Sequence, residues 1–243
     1  MTRRRWIADE VTGNTAALVG EHAAHLARVL RAEVGQQFDV AAGEEVRRGT
    51  ITFVSHERVE FALDANAHRS TQSSAAPEIT LVLAVFKFDR MEWAIEKCTE
   101  IGVDRIIPVV ARRSDAHLAV AAAKRHERWQ RIVRQASEQS RRAAPPEVAA
   151  PVKLKDLAGD IFWAESVARV VLAESEKDTR LRDVLAPLST EVALAVGPEG
   201  GWADDERAWF RETGWAVASL GGTILRAETA AIVATALAME ALR

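Results

Sequence analysis

The sequence predicts an α/β protein in which a parallel sheet is flanked by helices and preceded by a smaller β-rich domain. Two nearly continuous apolar runs, at 79–86 and 106–110, enclose a helical pattern, and this order is typical of strands buried on both faces of a parallel sheet. The first 66 residues hold only short runs of alternating apolar and polar residues. A Ser- and Ala-rich stretch lies between these regions. The predicted domains are therefore 1–70 and 78–243, joined by a linker at 71–77.

The composition is that of an ordinary globular protein. Of 243 residues, 48% are hydrophobic and 28% are charged. No apolar stretch approaches the ~20 residues that a membrane span needs. The start, MTRRRWIADE, has no apolar core behind its basic residues, so we expect no signal peptide. The single cysteine, Cys98, excludes an internal disulfide and suits a reducing compartment, so we expect a cytoplasmic protein without a membrane partner.

The positive charge is concentrated in one segment. The net charge is −3, which by itself argues against a nucleic-acid-binding protein, but residues 112–142 carry nine Lys and Arg against three Asp and Glu. A concentrated basic patch is the electrostatic footprint of phosphate binding. The alternative is a solvated helix with surplus arginine.

The first domain shows three strand patterns and one helical pattern. Strands are predicted at 37–41, 49–55 and 59–63. The apolar side of the helix is expected to consist of Ala24, Leu26, Ala27, Val29 and Leu30. His22 and His25 share one side of this helix, but no third ligand at a recognisable spacing completes a metal site, so we expect surface histidines and no metal.

The second domain alternates strands and helices. After the strand at 79–86, Asp89 is expected to cap a helix that Gly102 ends, and Cys98 falls on its buried side, which indicates a packing role. Glu92, Glu96 and Glu100 lie along one side of this helix, and Arg112 and Arg113 are their expected ion-pair partners.

Three further elements are predicted downstream. A basic helix is expected over 121–142, with Trp129, Ile132, Val133 and Ala136 buried, followed by a third strand at 167–173. The final helix, 227–242, is apolar on almost every side and is therefore expected to be a core helix.

The stretch 197–228 carries the chemistry. A Gly-rich loop, GPEGG at 197–201, follows the apolar run 192–196, and a second glycine turn, Leu220-Gly221-Gly222, follows a short predicted strand at 215–219. A helix is predicted between them, at 204–212. Glycine lets backbone N–H and C=O groups approach a ligand, so two such turns at strand ends predict a pocket built from main chain. G-x-G-x-x-G is absent and no Lys-Ser or Lys-Thr follows the loop, which disfavours a nucleotide-dependent enzyme.

GPEGG, followed after about twenty residues by LGGTILRAETA, resembles the RsmE family of SPOUT (trefoil-knotted) methyltransferases. The block KFDRMEWAIEKCTEIGVDRIIPVVARRS and the element E-Q-S-x-R at 138–142 match the same family. Members methylate N3 of a uridine in 16S ribosomal RNA with S-adenosyl-L-methionine. The resemblance implies a PUA-like β-barrel as the first domain, a C-terminal knot through which the final helix threads, a homodimer, and 16S rRNA or the small ribosomal subunit as partner.

Three loops are expected to contact the cofactor. The residues concerned are Leu172, Glu174, Gly197, Pro198, Glu199, Gly200, Gly201, Leu220, Gly221, Ile224, Leu225 and Arg226. The acidic loop at 174–176 suits ribose hydroxyls or the amino-acid part of the cofactor, and is equally compatible with exposed loop acids.

Two residues are expected to act in catalysis. Uracil N3 holds a proton near neutral pH, and a guanidinium can stabilise the anion that its loss leaves on the uracil oxygens. Arg226, directly after the pocket turn, is the candidate, and an ion pair with Glu228 or Glu199 is the alternative. Glu228 is the candidate proton acceptor, or else it bonds backbone at the start of the final helix.

RNA contacts are expected from six arginines: Arg5, Arg112, Arg113, Arg128, Arg131 and Arg142. Arg5 belongs to a cationic cluster beside Trp6, which suits phosphate contact and base stacking, and a frayed terminus is the alternative.

One position departs from the family pattern: Ala203 stands where Ser or Thr usually caps the next helix, and Asp204 is the expected substitute cap. The rival functions are ribose 2′-O-methylation and a non-catalytic RNA-binding assembly factor.

Overall fold

The computed structural model describes residues 4–43, 45–65, 68–69, 78–159, 167–185 and 191–242. The predicted linker at 71–77 lies outside these residues. The chain forms two compact units: Met1–Ser74 with Arg134–Pro145, and Ala75–Val133 with Pro146–Arg243. The sequence had placed 134–145 in the second domain.

The first unit contains a seven-stranded sheet. Its strands are β1 (Trp6–Ile7), β2 (Glu10–Thr12), β3 (Thr15–Val19), β4 (Gln37–Ala42), β5 (Glu45–Val54), β6 (Arg58–Leu63) and β7 (His68–Arg69). They follow the order β1-β4-β5-β6-β3-β2, with β7 paired to β5. Among the described strands of this sheet, the β1–β4 pairing is parallel and the other pairings are antiparallel. Over the residues described, β1 and β2 lie at the two ends of this order and do not pair with each other, so the sheet is an open half-barrel.

A short helix follows β3 and changes type within a few residues. Helix α1 (Gly20–Ala24) continues as a π-helix, His25–Val29. Ala23 and Leu26 are buried in the core beneath the sheet, whereas Val29 and Leu30 are 65% and 49% exposed. The wider π turn rotates the later side chains away from the face that an α-helical period predicts. The expectation that Val29 and Leu30 belong to the apolar side was therefore wrong.

Residues 134–145 join the first unit through buried charges. The Glu138 side chain has no exposed surface and lies between the guanidinium groups of Arg4 and Arg134. Arg134 also pairs with Asp9 at 2.7 Å and donates to the Ile7 carbonyl at 2.6 Å. A buried carboxylate is stable only when it is paired, which explains why this segment is held by N-terminal residues.

The second unit contains a sheet in which every paired strand is parallel, which confirms the predicted α/β class. The strands are β8 (Glu78–Ala84), β9 (Arg105–Val110), β10 (Glu147–Val148), β11 (Val152–Lys153), β12 (Ala168–Leu172), β13 (Glu191–Val196) and β14 (Ala216–Ala218). Their order is β10-β9-β8-β13-β12-β14, with β11 beside β9.

The helices of this unit cover the sheet. They are α2 (Phe88–Ile101), α3 (Ala116–Ala121), the first half of α4 (His126–Ser140), α5 (Leu181–Leu185), α6 (Asp204–Glu212) and α7 (Ala227–Ala241), with 3-10 turns at Ala122–Arg125 and Leu154–Gly159. From Arg134 onward, α4 belongs to the first unit. Alternate residues of β8 enter two cores: Leu81 joins the one that contains α2 and α7, and Val82 joins the one that contains Phe210 of α6. The central strand is therefore buried on both faces, as its apolar run predicts.

Of the two predicted ends of α2, the C-terminal end at Gly102 is confirmed and the N-terminal cap is not. The helix begins at Phe88 with Lys87 as its N-cap and no side-chain cap, so the prediction that Asp89 caps it was wrong. Gly102 ends it at φ +131°, where a Cβ would lie 2.5 Å from the Met239 Cε of α7. Glycine is required here by conformation and by the close approach of α7.

The basic segment is interrupted. Asp115 caps α3 by accepting from the His117 N–H at 2.8 Å. A 3-10 turn separates α3 from α4, so the single helix predicted over 121–142 is in fact the end of α3, this turn and α4. Within the described residues, no helix combines the length and apolar character needed to cross a membrane.

Candidate functional site

The carboxyl ends of β12, β13 and β14 meet at one edge of the parallel sheet, and the loops that follow them enclose a cavity of about 420 Å³. This volume falls in the range of small-molecule sites, and the edge is where open α/β sheets bind ligands. The lining residues come from the loop after β12 (172–175), the loop after β13 (196–202) and the turn between β14 and α7 (219–227), with Arg90, Arg113, Arg207 and Ala230.

The loop after β13 is a tight glycine turn. The Gly201 N–H donates to the Pro198 carbonyl at 2.8 Å, and Gly201 has φ +67°, a left-handed conformation that glycine adopts without strain. A Cβ on Gly197 would lie 3.2 Å from Nε1 of the buried Trp202. The sequence GPEGG therefore brings the backbone, rather than side chains, to the cavity.

The loop after β12 is tied to the turn after β14. The Ala173 N–H donates to the Ala218 carbonyl at 3.0 Å, and the Ser219 N–H donates to the Thr179 carbonyl at 2.9 Å. Glu176 accepts from the Thr179 and Asp178 N–H groups, and these hydrogen bonds lower the pKa of its carboxyl group. Glu176 thus orders its own loop, whereas Glu174 lines the cavity.

The turn between β14 and α7 presents unused donors. Within the described part of the chain, no acceptor receives a hydrogen bond from the backbone N–H groups of residues 220–226. This run leads directly into the N-terminus of α7, whose first N–H groups also lack intrahelical partners. Gly221, at φ +151°, would place a Cβ 3.3 Å from the Arg180 Nη1. A row of free amides at a cavity wall suits a ligand rich in oxygen and nitrogen acceptors.

The two predicted catalytic residues have different environments. Arg226 is the N-cap of α7, is exposed and lines the cavity, and the ion pair with Glu228 or Glu199 considered as its alternative does not form. Glu228 is 5% exposed and is not one of the lining residues. Its Oε1 lies 3.8 Å from the Nε of Arg90, and its Oε2 has no hydrogen-bond partner among the described residues.

Eleven of the twelve expected cofactor residues line the cavity. These are Leu172, Glu174, Gly197, Pro198, Glu199, Gly201, Leu220, Gly221, Ile224, Leu225 and Arg226. Gly200 does not, and its carbonyl instead accepts from the Arg113 Nη1 at 2.8 Å. Sequence reasoning missed Arg90, Arg207 and Trp202 as lining residues. Arg90 lies in the block that matches the family, and this was the signal that could have pointed to it.

Glu206 connects the Gly-rich loop to the loop after β9. Its Oε2 accepts from the Ala203 N–H and its Oε1 accepts from the Arg112 N–H, both at 2.8 Å. Ala203 is the N-cap of α6 and has no side-chain acceptor, so only half of a capping box is present. Asp204 is the first helical residue and pairs with Arg207, so the expectation that it replaces the cap was wrong.

In the second unit, three of the arginines expected to bind RNA have protein partners. Arg112 pairs with Asp205 at 3.1 Å, Arg113 bonds the Gly200 carbonyl, and Arg128 pairs with Glu92 at 2.8 Å.

The predicted ion pairs of the α2 glutamates were wrong. Glu92 pairs with Arg125 and Arg128, while Glu96 and Glu100 pair with Lys97, because the exposed side of α2 faces these side chains and not the loop after β9.

The other three arginines differ in exposure. Arg131 is exposed on α4. Arg5 donates to the Arg141 carbonyl, and burial lowers the pKa of its guanidinium. Arg142 is only 9% exposed, which leaves it little surface for a phosphate. Of the E-Q-S-x-R element, Glu138 and Arg142 are thus buried, whereas Gln139 and Arg141 are exposed. Within the described residues no group of three His, Cys, Asp or Glu could hold a metal ion.

The chain is similar to proteins of one kind. Residues 73–239 match the family described as RNA methyltransferase domain. The ribosomal RNA small subunit methyltransferase E of Mycobacterium tuberculosis is 35% identical over 226 residues, covering 92% of this chain and 85% of that protein. The protein of the same name from Aquifex aeolicus is 31% identical over 240 residues, covering 96% and 97%.

Solved structures agree over nearly the whole length. The ribosomal RNA small subunit methyltransferase E of Neisseria gonorrhoeae, bound to S-adenosyl methionine, has a TM-score of 0.83 and 28% identity, covering 96% of this chain and 95% of that one. A Legionella pneumophila protein solved with its bound cofactor SAM has a TM-score of 0.83 and 30% identity, covering 98% and 97%. The chain therefore belongs to the RNA methyltransferase family, as a member of the ribosomal RNA small subunit methyltransferase E group.

Proposed function

We propose that this protein transfers a methyl group from S-adenosyl-L-methionine to N3 of a uridine in the 16S ribosomal RNA of the small subunit. The observation that carries the proposal is the cavity at the carboxyl edge of the sheet, walled by main-chain donors and faced by Arg226, which is free of Glu228 and Glu199. The relatives are named as small-subunit rRNA methyltransferases, and structural relatives were solved with the methyl donor.

The cavity fits the proposed cofactor. Its walls offer the unused N–H groups of residues 220–226, and the Glu174 carboxylate faces the same space. Glycines at 197, 201 and 221 let the main chain of two of the three loops come close to a bound molecule. These loops would hold the cofactor, which supplies an activated methyl group on a positively charged sulfur.

Arg226 is proposed to stabilise the target base as it reacts. Methyl transfer is an in-line displacement, so alignment of N3 with the methyl group and the protonation state of N3 dominate the rate. Loss of the N3 proton places negative charge on the uracil oxygens. The guanidinium of Arg226 offers positive charge and a planar array of donors to those oxygens. Because N3 lies on the pairing edge, the uridine must leave its base pair or stack to enter the cavity.

The RNA is proposed to contact the exposed basic surface of the second unit, which includes Arg131, Arg112 and Arg113. The first unit is proposed to be a PUA-like RNA-binding domain spanning 1–70, with Arg5 near its RNA surface. A homodimer and a C-terminal knot around α7 complete the proposal. The dimer would bring a second subunit near each cavity.

Nucleoside analysis tests the proposal. Purified protein, S-adenosyl-L-methionine and small ribosomal subunits lacking the modification should yield 3-methyluridine in digested 16S rRNA, detected by mass spectrometry. A methyl group on ribose would indicate 2′-O-methylation instead. RNA binding without methylation, and no heat of S-adenosyl-L-methionine binding, would indicate an assembly factor.

Arg226→Met supplies the matching variant. It should bind the cofactor with wild-type affinity in calorimetry, because the cofactor is held mainly by main chain, and it should lose about 10²–10³-fold in single-turnover rate. Unchanged transfer by this variant would remove Arg226 from the mechanism.

A further inference from the structure

Four arginines line the cavity. Arg226 acts in the proposed mechanism, Arg113 bonds the Gly200 carbonyl and Arg207 pairs with Asp204, so Arg90 is the arginine whose guanidinium still lacks a role. Arg90 lies in the first turn of α2, lines the cavity, and keeps 32% of its side chain exposed. We propose that Arg90 is a second substrate-binding cation, which contacts a uracil oxygen during transfer, and that Glu228 is the positioning residue that holds it there. The inference rests on the proposed function, since it requires uridine as the substrate.

The environment of Glu228 explains why a cation stays beside it. Its side chain is 7% exposed, and its Oε2 finds no hydrogen-bond donor among the described residues. In the same part of the chain, the ion pair it forms is with Arg90. A buried carboxylate without a counter-charge is costly, so the guanidinium of Arg90 is drawn to this position whether or not substrate is present.

The ion pair leaves most of the Arg90 guanidinium available. The contact joins Nε to Oε1 at 3.8 Å, which is too long for a hydrogen bond. Among the described residues, no acceptor receives a hydrogen bond from the Arg90 side chain. Arginine carries five N–H donors in a planar fork, so a guanidinium anchored at this distance can still present its donors to a ligand.

Two of the cations that line the cavity, Arg226 and Arg90, match the charge that the reaction creates. When N3 gives its proton to water, the negative charge is shared by two oxygens, O2 and O4, which flank N3 on opposite sides. The N3–C bond then forms while the S–C bond of the donor breaks, with its electron pair remaining on sulfur. Arg226 precedes α7 and Arg90 begins α2, and both line the cavity. One guanidinium for each oxygen stabilises the anion better than either alone.

Glu228 is therefore assigned to positioning and not to proton transfer. It does not line the cavity, and its one oxygen near a charged group faces Arg90. This role replaces the role of proton acceptor that the sequence suggested.

The test uses full-length protein with small ribosomal subunits and measures single-turnover kinetics and steady-state constants over a range of pH. Arg90→Met should lower kcat about 10- to 100-fold with KM for the subunit within about twofold, less than a fully buried oxyanion donor because Arg90 is partly exposed. The rate of this variant should recover at higher pH, because N3 then loses its proton without stabilisation of the anion by Arg90. Arg90→Lys, which keeps the charge but not the fork, should restore part of the rate.

Glu228→Gln should lower kcat in the same direction by a smaller factor. The double variant Arg90→Met with Glu228→Gln should be no slower than Arg90→Met alone, because the effect of Glu228 passes through Arg90. Lys97→Met is the matched control: Lys97 lies on the same helix, pairs with Glu96 and Glu100, and does not line the cavity. It should show wild-type kinetics.

The outcomes separate the inference from the proposed function. If Arg90→Met raises KM and leaves the pH profile unchanged, Arg90 contacts an RNA phosphate and not the uracil, and the inference is overturned. Independent, multiplicative losses in the double variant would overturn the positioning role of Glu228. If the wild-type protein forms no 3-methyluridine, the proposed function fails, and this result is visible without any variant.

Discussion

Glu206→Ala should destabilise the second unit and weaken the cofactor site together. The side chain is 6% exposed, and its two oxygens accept hydrogen bonds of 2.8 Å from the Ala203 and Arg112 N–H groups. Hydrogen bonds to a charged group contribute about 1.5–3 kcal/mol each, which gives about 3–6 kcal/mol for the pair. Arg112 is exposed, so water can replace part of its bond, and the expected loss is about 3 kcal/mol.

Tryptophan fluorescence reports this loss directly. Trp202, Trp209 and Trp215 surround Phe210, with ring centroids 4.9–5.2 Å from it, in the same part of the molecule as Glu206. Urea titrations followed by their emission give the free energy of unfolding from the midpoint and slope. Calorimetry on the same samples measures S-adenosyl-L-methionine affinity, which should fall because the Gly-rich loop loses its connection to the loop after β9.

Glu212→Ala is the control, because Glu212 is exposed on the same helix and should change stability by no more than about 0.5 kcal/mol. Glu206→Gln, which keeps one good acceptor, should fall between the two. A loss below about 1 kcal/mol in Glu206→Ala, or an equal loss in Glu212→Ala, would refute the proposed role of this carboxylate.

Three further outcomes are expected. Gly221→Ala should weaken S-adenosyl-L-methionine binding about tenfold in calorimetry, because a side chain at φ +151° is strained; wild-type affinity would contradict this. Arg131→Glu should lower RNA affinity and flatten its salt dependence, and an unaltered slope in filter-binding titrations would place the RNA elsewhere. Burial raises the pKa of the Cys98 thiol from 9.0 to about 12. The unfolded thiol therefore ionises first as pH rises, and native stability should fall between pH 9 and 12 by up to about 1.4 kcal/mol per unit, a slope that Cys98→Ala should lack.

The fold of the second unit could be predicted because its signals are local. The apolar runs at 79–86 and 192–196 fall on β8 and β13, and α6 has the predicted bounds of Asp204–Glu212. The predicted loops also converge on one cavity, since carboxyl ends of parallel strands share an edge.

Contacts between distant residues could not be predicted in the same way. Glu92 pairs with Arg125 and Arg128 rather than with Arg112 or Arg113, because the pairing depends on where α4 lies against α2. The place of Arg90 beside Glu228 depends likewise on how α2 packs on α7. The α-helical period that assigned Val29 to the apolar side of its helix does not hold, because His25–Val29 forms a π-helical turn.

The alanine content of α7 has a consequence for how the chain reaches its native state. Seven of the fifteen residues of Ala227–Ala241 are alanine, the residue with the highest intrinsic helix propensity. This segment can therefore be partly helical before it meets α2, β8 and β13. Alanine also loses no side-chain conformational entropy when it is buried, so packing α7 against the sheet carries a small entropic cost.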